Sequence, residues 1–206
     1  VSGWARAEVW DDGEEEVKEA VQDSLSFGDA VLQGLATDRG LLVPNRIPQF
    51  TLAQLHSWKN HSFDELAYEL MSMYVSNDDI PENKLRDITK RSYAGQWRSK
   101  DITPVTDMGD NLYALELYHG PTFAFKDVAL QFLGNLFEEL LSKRPGHAIT
   151  VVGATSGDTG SSAIQGLRGK KGVECFIMYP DGRTSRTQEL QMITILDENI
   201  HNIALG

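Results

Sequence analysis

Lys126 is the residue of this sequence whose surroundings best suit covalent chemistry. It follows Phe125 and precedes Asp127, where an apolar-periodic helix begins. A lysine between an aromatic residue and a buried helix face would be partly desolvated. Desolvation favours the neutral, nucleophilic amine that forms Schiff bases. A lysine at a helix start is, on residue type alone, more often a solvated surface charge, so both interpretations stay open at this point.

A second candidate site is residues 151–160, VVGATSGDTG. They follow an apolar run and precede a short helical pattern, which predicts a loop at the carboxyl end of a strand that opens a helix. Such loops bind anionic ligands through free backbone N–H groups and the positive end of the helix dipole. The segment has neither the lysine of a nucleotide P-loop nor GxGxxG spacing. An ordinary strand-to-helix turn therefore fits it equally well.

The elements before residue 100 are predicted to be helical. Four helix starts are indicated by capping residues or a proline: Ser26, Thr51, Ser62 and Pro81. Thr51 and Ser62 each have Gln or Glu three residues later, which is the spacing of a capping box. Short helices of this kind predict a small N-terminal helical domain, residues 26–99, that frames a cleft. The acidic residues before it, 1–25, are expected to be a solvated tail or a partly ordered segment.

Beyond a composition shift at residues 100–106, strands and helices alternate. The pattern predicts a strand through Tyr113, Leu115 and Leu117, helices at 127–141, 160–167 and 185–196, and strands at 148–152, 173–179 and 200–205. Alternation of this kind predicts an α/β fold with a mostly parallel sheet and right-handed crossovers. Ligands of such sheets bind at the carboxyl ends of the strands. Residues 156–160, called the SGDTG loop below, lie at such an end.

Composition narrows the class of protein. A net charge of −11 argues against binding to nucleic acids or anionic membranes. No apolar run approaches the ~20 residues that span a bilayer. Cys175 is the one cysteine, which excludes an intrachain disulfide and fits a reducing compartment. A cytoplasmic protein that acts on a small molecule is expected.

Together the two candidate sites resemble those of threonine synthases, pyridoxal-phosphate enzymes with the fold of the tryptophan synthase β-subunit. The resemblance rests on residues 116–138, ELYHGPTFAFKDVALQFLGNLFE, and on residues 151–172, VVGATSGDTGSSAIQGLRGKKG. Residues 26–48 look like the family's small N-terminal domain, and the match continues through 183–206. The Tyr-x-Ser-Thr-Arg-Gly stretch usual near the start of family members is not found. The first strand of the helical domain is therefore expected to be replaced or lost.

The resemblance implies roles for individual residues. Lys126 matches the lysine that holds pyridoxal 5'-phosphate as a Schiff base and later moves protons. Ser156, Gly157 and Thr159 match the loop that grips the substrate α-carboxylate.

Two further residues have roles that stay open. Asp158 matches the position near the 3-oxygen of the cofactor, but it could instead cap the following helix. His119 lies close to Lys126 in the sequence and is a candidate ligand of the substrate phosphate. A turn histidine that hydrogen-bonds to the backbone is an equally good interpretation.

The activity that the resemblance implies is conversion of O-phospho-L-homoserine and water to L-threonine and phosphate. Two alternatives remain: a related phospholyase that releases a keto acid, and a truncated, non-catalytic interaction module. Similar enzymes bind the cofactor phosphate with a downstream Gly-Asn-Phe-Gly-Asn loop, which has no counterpart in these 206 residues. The sequence is thus expected to be the N-terminal portion of a family member, with activity that needs the rest.

Overall fold

The protein is described here by a computed structural model, which covers residues 3–6 and 24–206. Most of the predicted acidic segment 1–25 lies outside these residues. The part that is described begins with β1 (Trp4–Arg6), which pairs antiparallel with β2 (Leu42–Pro44). Two backbone hydrogen bonds of 2.9 Å also join Trp4 to Leu25. The first strand is therefore not lost: Trp-Ala-Arg forms it, which agrees with replacement, the other outcome expected from the sequence.

Four helices follow, and each begins at its predicted capping residue. They are α1 (Phe27–Gln33), α2 (Leu52–Ser57), α3 (Phe63–Met71) and α4 (Glu82–Ser92). The Ser26 hydroxyl accepts from the Asp29 N–H, and Thr51 forms a capping box with Gln54. These contacts satisfy N–H groups that a helix end cannot pair internally. The helical character predicted for this part is thus confirmed.

A hairpin leads from the helices to the α/β part. It consists of β3 (Val105–Gly109) and β4 (Leu112–Leu115), joined by Asp110 and Asn111, both with positive φ. Asp and Asn tolerate that conformation, which two-residue hairpin turns require. The strand predicted through Tyr113, Leu115 and Leu117 is therefore present as β4, but it ends at Leu115, and its partner β3 was not predicted. Pro104 precedes β3 and has no N–H group to extend the ladder.

The remaining elements alternate as predicted. They are α5 (Asp127–Ser142), β5 (Ile149–Ala154), α6 (Asp158–Leu167), β6 (Val173–Pro180), α7 (Arg186–Ile193) and β7 (Ile200–Leu205). The three strands are parallel in the order β5-β6-β7. Helix α7 ends three residues before the predicted position, where the Thr194 hydroxyl donates to the Leu190 carbonyl. The α/β fold with a parallel sheet is confirmed.

Helix α5 contributes to both hydrophobic cores. Phe137 and Leu141 pack with α6, α7 and the buried face of the sheet, including the fully buried Cys175. Phe132, Leu136 and Leu140 pack instead with residues of the helical part. The helix that follows Lys126 is therefore held from both sides. The domain boundary near residue 100 stays a prediction. No described helix is both long and apolar enough to cross a bilayer.

Candidate active site

Lys126 lies at the N-terminal cap of α5, directly before the first helical residue. Its side chain is half-buried, and Nζ lies 4.4 Å from the centroid of the Phe125 ring. Within the described part of the chain its ammonium makes no hydrogen bond and no ion pair. An amine held against an aromatic face without a competing partner is available for reaction with a ligand.

An apolar cavity of about 830 Å³ adjoins this lysine. Helices α3 and α5 supply most of its lining, and Thr159 of α6 also contributes. Tyr93 lines it too, but its hydroxyl donates to the Val128 carbonyl at 3.0 Å. Burial raises the pKa of Tyr93 to about 12 and so keeps the phenol protonated. The cavity thus brings the lysine segment and the SGDTG loop together, although 33 positions separate Lys126 from Thr159.

The SGDTG loop connects β5 to α6 at the carboxyl end of the sheet. The Thr155 N–H donates to the Met178 carbonyl at 2.9 Å, and the Gly157 N–H donates to Thr155 Oγ1 at 3.2 Å. Ser156 and Thr159 are exposed. Gly160 is buried, and a Cβ there would lie 2.6 Å from Thr155 Cγ2, so a larger residue would have to displace that side chain. The first N–H groups of a helix have no intrahelical partner, and the loop therefore presents hydroxyls and N–H groups suited to a carboxylate.

Asp158 is the first residue of α6 and does not cap it with its side chain. Its carboxylate Oδ1 instead accepts a hydrogen bond from Gln188 Nε2 of α7 at 2.7 Å. The capping role considered from the sequence is thus not what the structure shows. A position near the cofactor's 3-oxygen stays a prediction.

His119 is paired with a carboxylate. Its Nε2 lies 2.6 Å from Glu116 Oε2, and its ring stacks on Tyr118 with centroids 4.6 Å apart. Hydrogen bonds from Thr106, His119 and Tyr118 hold the pKa of Glu116 below its usual value. The partner of the ring is thus a carboxylate and not the turn backbone, which was one of the two interpretations drawn from the sequence. His119 is not part of the cavity lining that contains Lys126, and contact with a substrate phosphate stays a prediction.

Two residues near the lysine, Thr122 and Asp127, were not predicted from the sequence to belong to the site. Asp127 is fully buried, and its two carboxylate oxygens accept the N–H and the hydroxyl of Thr122, which is 5% exposed. The sequence did contain a signal for Asp127, because this acidic residue opens a helix whose inner face is otherwise apolar. Among the described residues no group of His, Cys, Asp and Glu is arranged to hold a metal ion.

Comparison with known proteins gives a consistent result. Residues 18–93 match the family model described as "Threonine synthase N terminus". The threonine synthase of Schizosaccharomyces pombe is 50% identical over 190 residues, which cover 89% of this chain and 37% of that protein. A protein of Xenopus laevis named threonine synthase-like 2 is 36% identical, over 86% of this chain and 37% of its own length.

Solved structures agree with the sequence matches. The crystal structure of yeast threonine synthase is 51% identical with a TM-score of 0.82, over 88% of this chain and 38% of that one. A structure of PLP-bound threonine synthase from Brucella melitensis is 38% identical with a TM-score of 0.83, over 88% and 39% of the two chains. The chain thus spans less than two fifths of these relatives' length. Over this length it is similar to threonine synthases in sequence and in fold, and residues 18–93 match the N terminus of that family.

Proposed function

We propose that this chain forms part of a threonine synthase, which converts O-phospho-L-homoserine and water to L-threonine and phosphate. One observation carries the proposal: Lys126, which is unpaired among the described residues, and Thr159 of the SGDTG loop line the same cavity. The 50% identity to a fungal threonine synthase supports it, and so does the lower identity of 36% to threonine synthase-like 2. We therefore place threonine formation ahead of release of a keto acid.

The residues present fit covalent attachment of pyridoxal phosphate through its aldehyde group, while no described residue is assigned to its phosphate. Covalent attachment needs an amine that is free of competing ion pairs, and Lys126, which has none with any residue that the structure describes, supplies it beside the Phe125 ring. Asp158, at the start of α6, would lie at the cofactor's 3-oxygen. When bound, the cofactor withdraws electrons from the substrate Cα and makes its C–H bond acidic.

The chain's own residues would then handle protons and bind the substrate. Lys126 Nζ would accept and return the proton of the substrate Cα, because its amine reaches the cavity and has no competing partner among the described residues. Ser156, Gly157 and Thr159 would hold the α-carboxylate through hydroxyl and N–H groups at the N-terminus of α6. His119, fixed by Glu116, is the candidate for the substrate phosphate.

Reductive trapping tests the site directly. Pyridoxal phosphate and borohydride are added to the 206-residue chain, to Lys126→Ala and to Lys59→Ala, and the labelled peptide is mapped. Lys59 is exposed and lies outside the cavity, so it is the matched control. We expect the adduct at Lys126 to persist in Lys59→Ala and to vanish in Lys126→Ala. A soluble, folded chain with no adduct at Lys126 would mean either that the C-terminal part found in the relatives is essential for attachment or that the chain is a non-catalytic interaction module, and the same trapping on an extended chain decides between them.

Product analysis tests the reaction. Residues 1–206 are joined to the remaining C-terminal part of the threonine synthase of Saccharomyces cerevisiae, which is 51% identical to this chain. The chimera is supplied with O-phospho-L-homoserine. We expect threonine and phosphate in equal amounts, and neither product above background in the Lys126→Ala chimera. Phosphate accompanied by a keto acid would identify the phospholyase instead.

We also propose a cytoplasmic location. Cys175 is a fully buried free thiol, and burial raises its pKa to about 11. An unpaired core cysteine fits a reducing compartment. Cell fractionation tests the proposal, since recovery with an organelle would contradict it.

A further inference from the structure

We propose that Asp127 is a positioning residue for Lys126: its carboxylate binds Thr122 and thereby fixes the turn, residues 122–126, that presents the lysine at the head of α5. The role given to Lys126 rests on the proposed function. The geometry of the turn does not, and the two can be tested separately.

Both oxygens of the Asp127 carboxylate accept hydrogen bonds from one residue of the turn, Thr122. Its Oδ2 accepts the Thr122 N–H at 2.8 Å, and its Oδ1 accepts the Thr122 hydroxyl at 2.7 Å. Asp127 is fully buried, and no basic side chain among the described residues forms an ion pair with it. Burying a carboxylate without a cation is costly unless hydrogen bonds satisfy its oxygens. Both hydrogen bonds from Thr122 are therefore needed to offset the cost of burying this carboxylate.

The direction of the hydrogen bonds extends this contact to α6. A carboxylate only accepts, so the single Thr122 hydroxyl proton points to Asp127. The 2.9 Å contact between Thr122 Oγ1 and Ser162 Oγ must then be donated by Ser162. Ser162 belongs to α6, the helix that the SGDTG loop opens. The Thr122 carbonyl also accepts from Gln191 Nε2 of α7 at 3.3 Å. One threonine thus ties the lysine turn to both helices that follow β5 and β6.

The turn itself is strained. Phe123 has a φ of 64°, in the left-handed region that non-glycine residues rarely adopt, while its side chain is 56% exposed. Arg98 lies over the Phe123 ring at 3.9 Å and donates to the Gly120 carbonyl at 2.6 Å. A Cβ at Gly120 would overlap the Asp127 carboxylate. Such a conformation persists only where its surroundings hold it, and Asp127 does so from the buried side.

Hydrogen exchange read by mass spectrometry tests this role in the 206-residue chain. Thr122→Val removes the hydroxyl at nearly constant shape, whereas Thr122→Ser keeps it. We expect Thr122→Val to speed exchange in residues 118–126 by about tenfold or more, because a buried acceptor loses its donor. Exchange in β6 should stay at the parent rate. Thr122→Ser should restore slow exchange in the turn.

Trapping at the lysine supplies a second readout. The initial rate of pyridoxal-phosphate trapping at Lys126, relative to Lys59 in the same digest, should fall several-fold in Thr122→Val and recover in Thr122→Ser. If Thr122→Val does not fold, Asp127→Asn replaces it, since an amide keeps the shape but removes one acceptor. Asp127→Asn is then expected to speed exchange in the same residues.

Two results would overturn the role. One is exchange in residues 118–126 that does not change in Thr122→Val, or that is equally fast in Thr122→Ser. The other is faster exchange throughout the chain, which would reduce Asp127 to a general contributor to stability. If the parent chain gives no adduct at Lys126, the trapping comparison is made in the chimera, and no adduct there means that the proposed function fails, while the exchange comparison in the 206-residue chain still decides whether Asp127 holds the turn.

Discussion

Gly134 and Gly166 meet where α5 crosses α6, and a Cβ on Gly134 would overlap the Gly166 carbonyl oxygen. A Cβ on Gly166 would in turn overlap the Leu130 carbonyl oxygen. The two helices therefore approach as closely as their backbones allow. Because Lys126 heads α5 and the SGDTG loop heads α6, this crossing sets the spacing between the two segments of the candidate site.

Adding a methyl group at this crossing should be destabilising. We expect Gly166→Ala to lower the free energy of unfolding by about 1–3 kcal/mol, because the extra carbon forces the helices apart. Urea denaturation followed by circular dichroism measures it. Gly95→Ala is the matched control, since a Cβ there meets no atom within 4 Å. Equal stability of the two variants would show that the helices can separate without cost.

Phe123 offers a test of backbone strain next to the lysine. With φ at 64°, this position favours glycine over alanine. We therefore expect Phe123→Gly to be more stable than Phe123→Ala by about 1 kcal/mol, although alanine normally loses less chain entropy on folding. Both variants lose the Arg98 contact, so that term cancels in the comparison. The opposite order would mean that the turn relaxes to negative φ in the variants.

Local chemistry in the sequence was enough to predict the helices. Ser26, Thr51 and Ser62 cap helices through hydrogen bonds that reach only three residues along the chain. The strands were predictable because each is a short apolar run, such as Cys175–Tyr179 in β6. In both cases the signal lies within the element itself.

Contacts between distant residues could not be predicted in this way. Strand β1 depends on the pairing of Trp4 with Pro44. The β3–β4 hairpin is exposed along most of its length, with Val105, Met108 and Leu112 each more than 60% exposed, so its sequence has no inward-facing period. At the candidate site, Lys126 and Thr159 reach one cavity because α5 and α6 pack together. Thr122 and Ser162 meet for the same reason.

Cys175 should react only when the chain opens. The thiol is fully buried, and burial raises its pKa to about 11, so little thiolate exists at neutral pH. We expect iodoacetamide at pH 8 to label it at least about a hundredfold more slowly in the native chain than in urea, since labelling requires local or global unfolding. Equally rapid labelling in the two conditions would show that this part of the sheet opens readily.

Tyr93 should make stability fall in alkaline solution. Its pKa is raised by burial to about 12, above the ordinary value of 10.0. The unfolded chain therefore loses this proton at a lower pH than the folded chain does. The stabilisation is fully present below pH 10 and is lost as the pH rises toward 12, by about 2–3 kcal/mol in all.

Tyr93→Phe removes the titrating group along with the hydrogen bond to the Val128 carbonyl. That variant should be less stable at pH 8 by about 1 kcal/mol but should lose less stability between pH 10 and 12. Tyr113→Phe, which changes a side chain that is 59% exposed, is the control. Urea denaturation at several pH values measures both slopes, and parallel slopes for Tyr93→Phe and the parent chain would show that Tyr93 is not the group that titrates.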